Sequence, residues 1–480
     1  MRDNSNDFDE RREYRRKRRI RNQVISYVCV VIFFAAVITG TAIGIRTLTK
    51  NVSEKKQAEE LAAQLEEISN QEEVAVEPPE TVSEEPAEEV DWLEEMVETC
   101  IAEMPLEDKV AGLFMITPEA LTGVSQAIKA GDGTKDALNQ YAVGGLIYFS
   151  QNIKDKDQLT EMLSNTSSMS KYPLFLAVDE EGGSVSRVAE SKIEVSKVSD
   201  MATVGASGDT MEAYNSGSTI ASYLYELGFN VNFAPVADVV TDAESSVIGN
   251  RSFGSDPTAV GGMVAAMVGG LQDTGVSSCL KHFPGIGGTA EDTHDGMASV
   301  EKSLEDMKAS DFVPFQSGIE SGAHFVMVSH VSAPGLVGDN TPCSLSDKVI
   351  TDILRGELGY NRIVITDAMN MAAITEYYSS DEAAVMAIKA GADMILMPED
   401  FQAAYDGVLA AVKDGVIAEE RINESLKRIY RVKYRDRVEQ SDVSGDEATV
   451  SEGDGAAVEG DAAGDAGEEQ LTEQPADAAE

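Results

Sequence analysis

Residues 363–371 read IVITDAMNM: three β-branched apolar residues run almost directly into an aspartate, with no alternation of apolar and polar positions. A strand with one wet face alternates, whereas a strand buried on both faces reads as a short continuous apolar run. A carboxylate inside such a run would be costly, so Asp367 belongs at the strand's end, where the sheet stops. The same kind of run recurs at Val110–Ile116, Val143–Phe149, Leu174–Val178, Val231–Ala234, Ser277–Leu280, Phe325–Val328 and Met394–Met397. Helical patterns such as Ser346–Leu358 and Asp381–Ala390 lie between the runs. Eight strand–helix units predict an α/β fold, a (β/α)8 TIM-type barrel, with a doubly wound open sheet as the structural alternative. In the last helical segment, Ile422, Leu426, Ile429 and Val432 share one face, and no strand pattern returns after Arg437. The barrel is therefore assigned to residues 91–438, with no second folded domain expected behind it.

The flanks have a different character. Val24–Ile45 is a run of 22 residues without a charge, long enough as a helix to cross a hydrocarbon layer roughly 30 Å thick. Nine Lys or Arg lie between Arg2 and Arg21, and only Arg46 and Lys50 separate the run from an acidic stretch. This asymmetry predicts a basic cytoplasmic segment over 1–22 and an uncleaved transmembrane signal anchor over 23–45, with everything after it outside the cell. The expected location is thus the cell membrane, single-pass. Residues 51–90 hold 13 acids and two lysines, and residues 441–480 hold 13 acids and no base. Both stretches are too polar to bury a core, so 46–90 is read as an acidic disordered stalk and 439–480 as an acidic disordered tail. A formal net charge of −46 argues against nucleic acid as a partner; protein partners are not specified. Four cysteines without a CxxC pair give neither a disulfide framework nor a thiolate zinc site.

Active sites of such barrels are built from the loops at the C-terminal ends of the strands. Those ends read AVDEEGGSVSR (177–187), NFAPVADV (232–239) with GNRSFG (249–254) further on, CLKHFPGIGGTAEDTHDG (279–296), MVSH (327–330) and VITDAMNM (364–371). No GxGxxG or P-loop follows the first strand, so no nucleotide cofactor is expected. Two of the four histidines, His282 and His294, fall in the glycine-rich segment 281–294. Asp292, two residues before His294, can orient the imidazole and raise its basicity, which suits a general acid/base near neutral pH. His282 and His294 lack the spacing of helical metal ligands, so no metal is assigned. A carboxylate such as Asp367 facing a proton donor across a sugar is the arrangement of a retaining glycosidase.

Together the ordered motifs DEEGGSVSR, NFAPVADV, GNRSFG, KHFPGIGG…DTH, SHVSAPGL and VITDAMNM resemble the single-domain β-N-acetylhexosaminidase branch of glycoside hydrolase family 3, over nearly all of residues 92–436. The resemblance implies retaining hydrolysis of terminal β-linked N-acetylglucosamine in a cell-wall-type glycan, without a cofactor. It makes Asp367 the nucleophile and His294, oriented by Asp292, the general acid/base. Asp179, Arg187, Arg251, Lys281 and His282 match positions that hold sugar hydroxyls, with structural ion pairing as the alternative for Arg187 and Arg251. Glu180 and Glu181 are expected to orient neighbours, His330 to line or support the site, and Met369 and Met371 to form core or pocket wall. Three positions depart from the family pattern: Ile286 stands in place of a histidine, Gly288 in place of an acid, and Ser184 where an arginine is common. The alternatives are an inactive glycan-binding wall module and a phosphorylase on the same fold.

Overall fold

The computed structural model describes residues 91–241, 247–289 and 296–446, with side chains in the last helix described to Arg435. The proposed anchor and stalk lie outside the described residues, as does the acidic tail beyond Asp446; the tail expected to be disordered from 439 is corrected at its start, because the last helix continues to Asp446.

Eight parallel strands close into a barrel: β1 (Phe114–Ile116), β2 (Gly145–Tyr148), β3 (Phe175–Val178), β6 (Val231–Asn232), β7 (Ser277–Phe283), β8 (Phe325–Val328), β9 (Ile363–Ala368) and β10 (Met394–Leu396), with β10 pairing back onto β1. A small antiparallel hairpin, β4 (Glu180–Gly182) and β5 (Val185–Ser186), is inserted after β3. The barrel expectation holds, and the open sheet is excluded by the Phe114↔Ile395 pairing that closes the ring. β1, β2, β3, β6, β7, β8 and β10 are buried along their whole length, as unalternated apolar runs require. Phe175 and Phe325 meet across the interior edge-to-face, with centroids 5.0 Å apart, filling the barrel with side chains rather than leaving a pore.

Two expected elements differ. The run Val110–Ile116 is not one strand: Leu106–Ala111 forms a helix and β1 starts only at Phe114. Pro105 caps this helix, Glu107 and Asp108 sit in its first turn, and Gly112 ends it, so local helix signals override the apolar run. The pattern at Ser346–Leu358 folds as a π-helix over Lys348–Glu357, preceded by a 3-10 turn over Cys343–Leu345. Several aspartates serve as helix caps, among them Asp155, Asp256 and Asp400, whose carboxylates accept from the N–H groups of Gln158, Ala259 and Ala403.

The last helix, Glu419–Asp446, runs beneath the N-terminal ends of the strands and buries Ile422, Leu426 and Ile429. It is tied there by Asp393, a fully buried carboxylate just before β10. Asp393 accepts from Arg355 at 2.7 Å, Arg428 at 3.0 Å, Ser425 Oγ at 2.7 Å and the Val364 N–H at 2.9 Å. The helix Trp92–Ala102 packs on this closing helix, with Arg431 donating to Glu94 and Lys427 to Glu98. The chain thus enters the barrel on its floor. Replacing Asp393 by Ala strands buried guanidinium groups, and we expect a loss of about 3–5 kcal/mol in denaturant unfolding, the range for breaking a buried ion pair from one side.

Candidate active site

At the opposite end of the barrel the strand ends converge on a cleft of about 380 Å³. Of the eight residues singled out from the sequence, six line it: Asp179, Arg187, Arg251, Lys281, His282 and Asp367. Asp292 and His294 lie outside the described residues.

The cleft is organised by one carboxylate that ends in no chemistry of its own. Glu181, on β4 and 1% exposed, receives two parallel hydrogen bonds from Arg251, Nε to Oε2 and Nη2 to Oε1, both at 2.8 Å. Lys281 Nζ reaches the same carboxylate at 2.6 Å and Asp179 at 2.7 Å. Burial would raise the Glu181 pKa, but Lys281 and Arg251 outweigh it and hold the group at about 2. Lys281 in turn stays charged despite its burial, because Asp179 and Glu181 raise its pKa. The ion-pair and sugar-holding readings of Arg251 are not exclusive. Its fork to Glu181 uses two of five N–H donors, and Lys281 spends two of three, so each keeps donors for a ligand.

His282 is set by Asp238, which the sequence reading did not single out. The buried Asp238 carboxylate lies 2.8 Å from His282 Nδ1 and accepts from the His282 backbone N–H at 3.1 Å. Its other oxygen accepts from the Ile286 N–H at 2.7 Å. A carboxylate can only accept here, so Nδ1 carries the proton and Nε2 lies on the Arg251 side, 3.5 Å from Nη2. The departure at Ile286 is absorbed: its side chain is buried and the Asp238 contact is made by backbone. Gly287 has no room for a side chain, since a Cβ would lie 2.2 Å from the Val239 carbonyl. Gly288 is open, with Thr241 and Lys302 as its nearest neighbours. Ser184 is exposed at the turn between β4 and β5.

Arg187 follows β5 and lies over the Phe149 ring, 5.9 Å from its centroid. Its Nε is buried without a hydrogen-bond partner among the described residues. Its segment is fastened by Glu180, whose carboxylate accepts from the N–H groups of Val188 and Ala189 and from Tyr223. Burial raises the Glu180 pKa. Glu180 and Glu181 thus orient neighbours, as expected.

Asp367 sits at the end of β9, inside the cleft and partly open. Its Oδ1 accepts from the Ala368 N–H at 2.8 Å. Burial works against its charge, yet His282, His330, the Ala368 N–H and Lys281 together lower its pKa below the ordinary carboxylate value. It has no ion-pair partner at contact distance among the described residues, whereas Asp179 and Glu181 are both committed. His330 is a support: it is fully buried, 2.7 Å from Ser344 Oγ through Nδ1 and 3.0 Å from the Ala368 carbonyl through Nε2. His324 lies on the floor, with a pKa pushed down to about 2 by burial and then by Arg435 and Arg362. Met371 forms cleft wall and Met369 is core. Asp238, Phe149, Asn370 and Met397 were missed; Asp238 and Asn370 had a signal, as polar residues inside the strand-end motifs NFAPVADV and VITDAMNM.

Because the folded-state pKa of Glu181 is depressed, its contribution to stability is complete above pH about 4.5 and is withdrawn as pH falls towards about 2. Urea titrations across that window should show wild type losing stability more steeply than Glu181→Gln, whose side chain cannot titrate. Parallel slopes would contradict the charge assignment.

The model for the glycosyl hydrolase family 3 N terminal domain matches residues 105–432. The chain is 32% identical over 329 residues to β-hexosaminidase A of Pseudoalteromonas piscicida, covering 62% of this chain and 54% of that protein. It is 34% identical over 266 residues to the β-hexosaminidase of Stenotrophomonas maltophilia (strain K279a), covering 55% of this chain and 78% of the relative. Among solved structures, a family 3 β-N-acetylglucosaminidase from Paenibacillus sp. str. FPU-7 superposes with a TM-score of 0.65 at 36% identity, over 70% of this chain and 63% of the other. The chain thus spans about half the length of the first of these relatives and more than three quarters of the second. With a matched region that takes in every barrel strand and all six charged groups of the cleft, the chain belongs to glycosyl hydrolase family 3.

Proposed function

We propose that the chain is a retaining β-N-acetylhexosaminidase that removes terminal β-linked N-acetylglucosamine from cell-wall-type glycans. The observation that carries this reading is the division of labour among the cleft carboxylates. Asp179 and Glu181 are neutralised by Lys281 and Arg251, while Asp367, its pKa lowered, has no ion-pair partner among the described residues. A carboxylate held ionised and uncommitted is a nucleophile.

In this reaction Asp367 attacks the anomeric carbon as the bond to the leaving oxygen breaks, forming a glycosyl ester. His294, oriented by Asp292, gives its proton to that oxygen. It then takes a proton from water, whose oxygen attacks the same carbon, and the ester bond breaks to return Asp367 as a carboxylate. Arg187, Arg251, Lys281 and His282, with Asp179 accepting, hold the hydroxyls of the terminal sugar. The apolar run 24–45 anchors the enzyme in the cell membrane, the stalk 46–90 gives it reach, and the catalytic barrel faces outward.

Full-length protein in detergent should hydrolyse an aryl N-acetyl-β-glucosaminide, and Asp367→Asn should lower kcat by roughly a thousandfold or more. Incubation with a slow 2-fluoro glycoside should leave a sugar adduct on the peptide containing Asp367, read by mass spectrometry. Turnover without such an adduct, or with the adduct elsewhere, would remove Asp367 from the mechanism.

A further inference from the structure

The active-site cleft does not end at its own walls. A second cleft of about 440 Å³ shares Phe149, Asn370 and Met397 with it. The two form one depression running from Asp367 over the ends of β10, β1 and β2. On the other side, the charged cluster of Asp179, Glu181, Arg251, Lys281 and His282 closes around the inner cleft. A sugar gripped there by its hydroxyls has its anomeric carbon at Asp367, and Asn370 lies three residues further along the same loop. Of the walls described, those at Asn370 and Met397 lead outward from Asp367.

We propose that this second cleft is the leaving-group subsite and that Glu399 makes it selective for a sugar without a carboxylate, such as a neutral hexose or hexosamine. This rests on the glycosidase reading above. The outer walls combine apolar surface from Phe149, Met397 and Pro398 with hydrogen-bonding groups from Gln151 and Asn370. That mixture suits a pyranose ring, which has an apolar face and a hydroxylated edge. The side chains of Gln151, Asn370 and Glu399 hold no hydrogen bond or ion pair among the described residues, so their donors and acceptors are available to a ligand.

Among the described residues, Glu399 is the one charged residue lining this cleft. Its carboxylate accepts hydrogen bonds from hydroxyls or an ammonium and repels a carboxylate. Met397 has φ +47°, the only positive φ at a non-glycine residue among those described. Such conformations persist where the surroundings impose them, commonly at ligand clamps; here the Met397 N–H is bonded to the Met115 carbonyl at 2.9 Å. The charge becomes mixed one step further out, where Lys154, Lys192 and Glu190, the last paired with Lys197, line a third cleft that shares Gln151. The selectivity therefore concerns the first leaving unit alone.

The test compares two disaccharides, N-acetylglucosamine β-linked to N-acetylglucosamine and to glucuronic acid, as competing substrates of the full-length enzyme. The readout is the ratio of their kcat/KM values, with an aryl N-acetyl-β-glucosaminide assayed alongside. Wild type should prefer the neutral disaccharide. Glu399→Lys should shift the ratio towards the acidic one by about five- to tenfold at low ionic strength, and less in high salt because the side chain is exposed. Glu399→Gln should fall between. A surface residue without this role would leave the ratio in place. An unchanged ratio in Glu399→Lys overturns the proposal, as does cleavage of the aryl glycoside with neither disaccharide hydrolysed. Failure of the aryl glycoside itself would overturn the parent reading and the subsite with it.

Discussion

The carboxylate of Glu181 is shared between a guanidinium and an ammonium that come from distant parts of the chain, all three almost out of contact with water or partly so. Glu181 leaves β3 by way of the hairpin, Arg251 comes from the turn after β6, and Lys281 lies within β7. Removing any one partner would leave an uncompensated buried charge, which costs several kcal/mol. The interaction therefore couples three strand ends into a single arrangement. The cations that would meet a sugar are held in place before it arrives, so less ordering is needed on binding.

The cleft uses its acids in three different ways. Asp179 and Glu181 neutralise cations. Glu180 and Asp238 hold backbone: the first grips the segment that carries Arg187, the second sets the bend that carries His282 and Ile286. Asp367 does neither, and its surroundings hold its pKa below the ordinary carboxylate value with no ion pair at contact distance among the described residues. Identical carboxylates thus acquire different roles from their surroundings, since burial raises a pKa while charge and hydrogen bonding lower it. Outside the cleft, many of the barrel's acids are consumed in helix caps and in the floor network around Asp393. The strong negative charge of the chain is, in this part, structural.

Most of the barrel was legible because strands buried on both faces have a distinctive composition. Phe325–Val328 has the same bounds in sequence and structure, and Ile363–Ile365 and Leu174–Val178 differ only at their ends. The first run was misread where capping residues, not hydrophobicity, decided the local conformation. The π-helix over Lys348–Glu357 was also beyond reach, because its apolar positions fit an α-helical stripe equally well. The site was legible for a related reason. Polar and charged residues in the loops that follow apolar runs must emerge at the mouth of a barrel, and six of those singled out do share one cleft.

What the sequence determined by itself was therefore the alternation of buried strands and helices, the closure it implies, and which chemical groups stand at the strand ends. Those follow from local rules of burial and spacing. Only the tertiary structure decided which carboxylate is free and which is spent, because that depends on a few ångströms between residues as far apart in the chain as Glu181, Arg251 and Lys281. It also decided the importance of Asp238 and of the cleft beyond Met397, since neither a hydrogen bond to a distant histidine nor a shared wall leaves a periodic trace in the sequence.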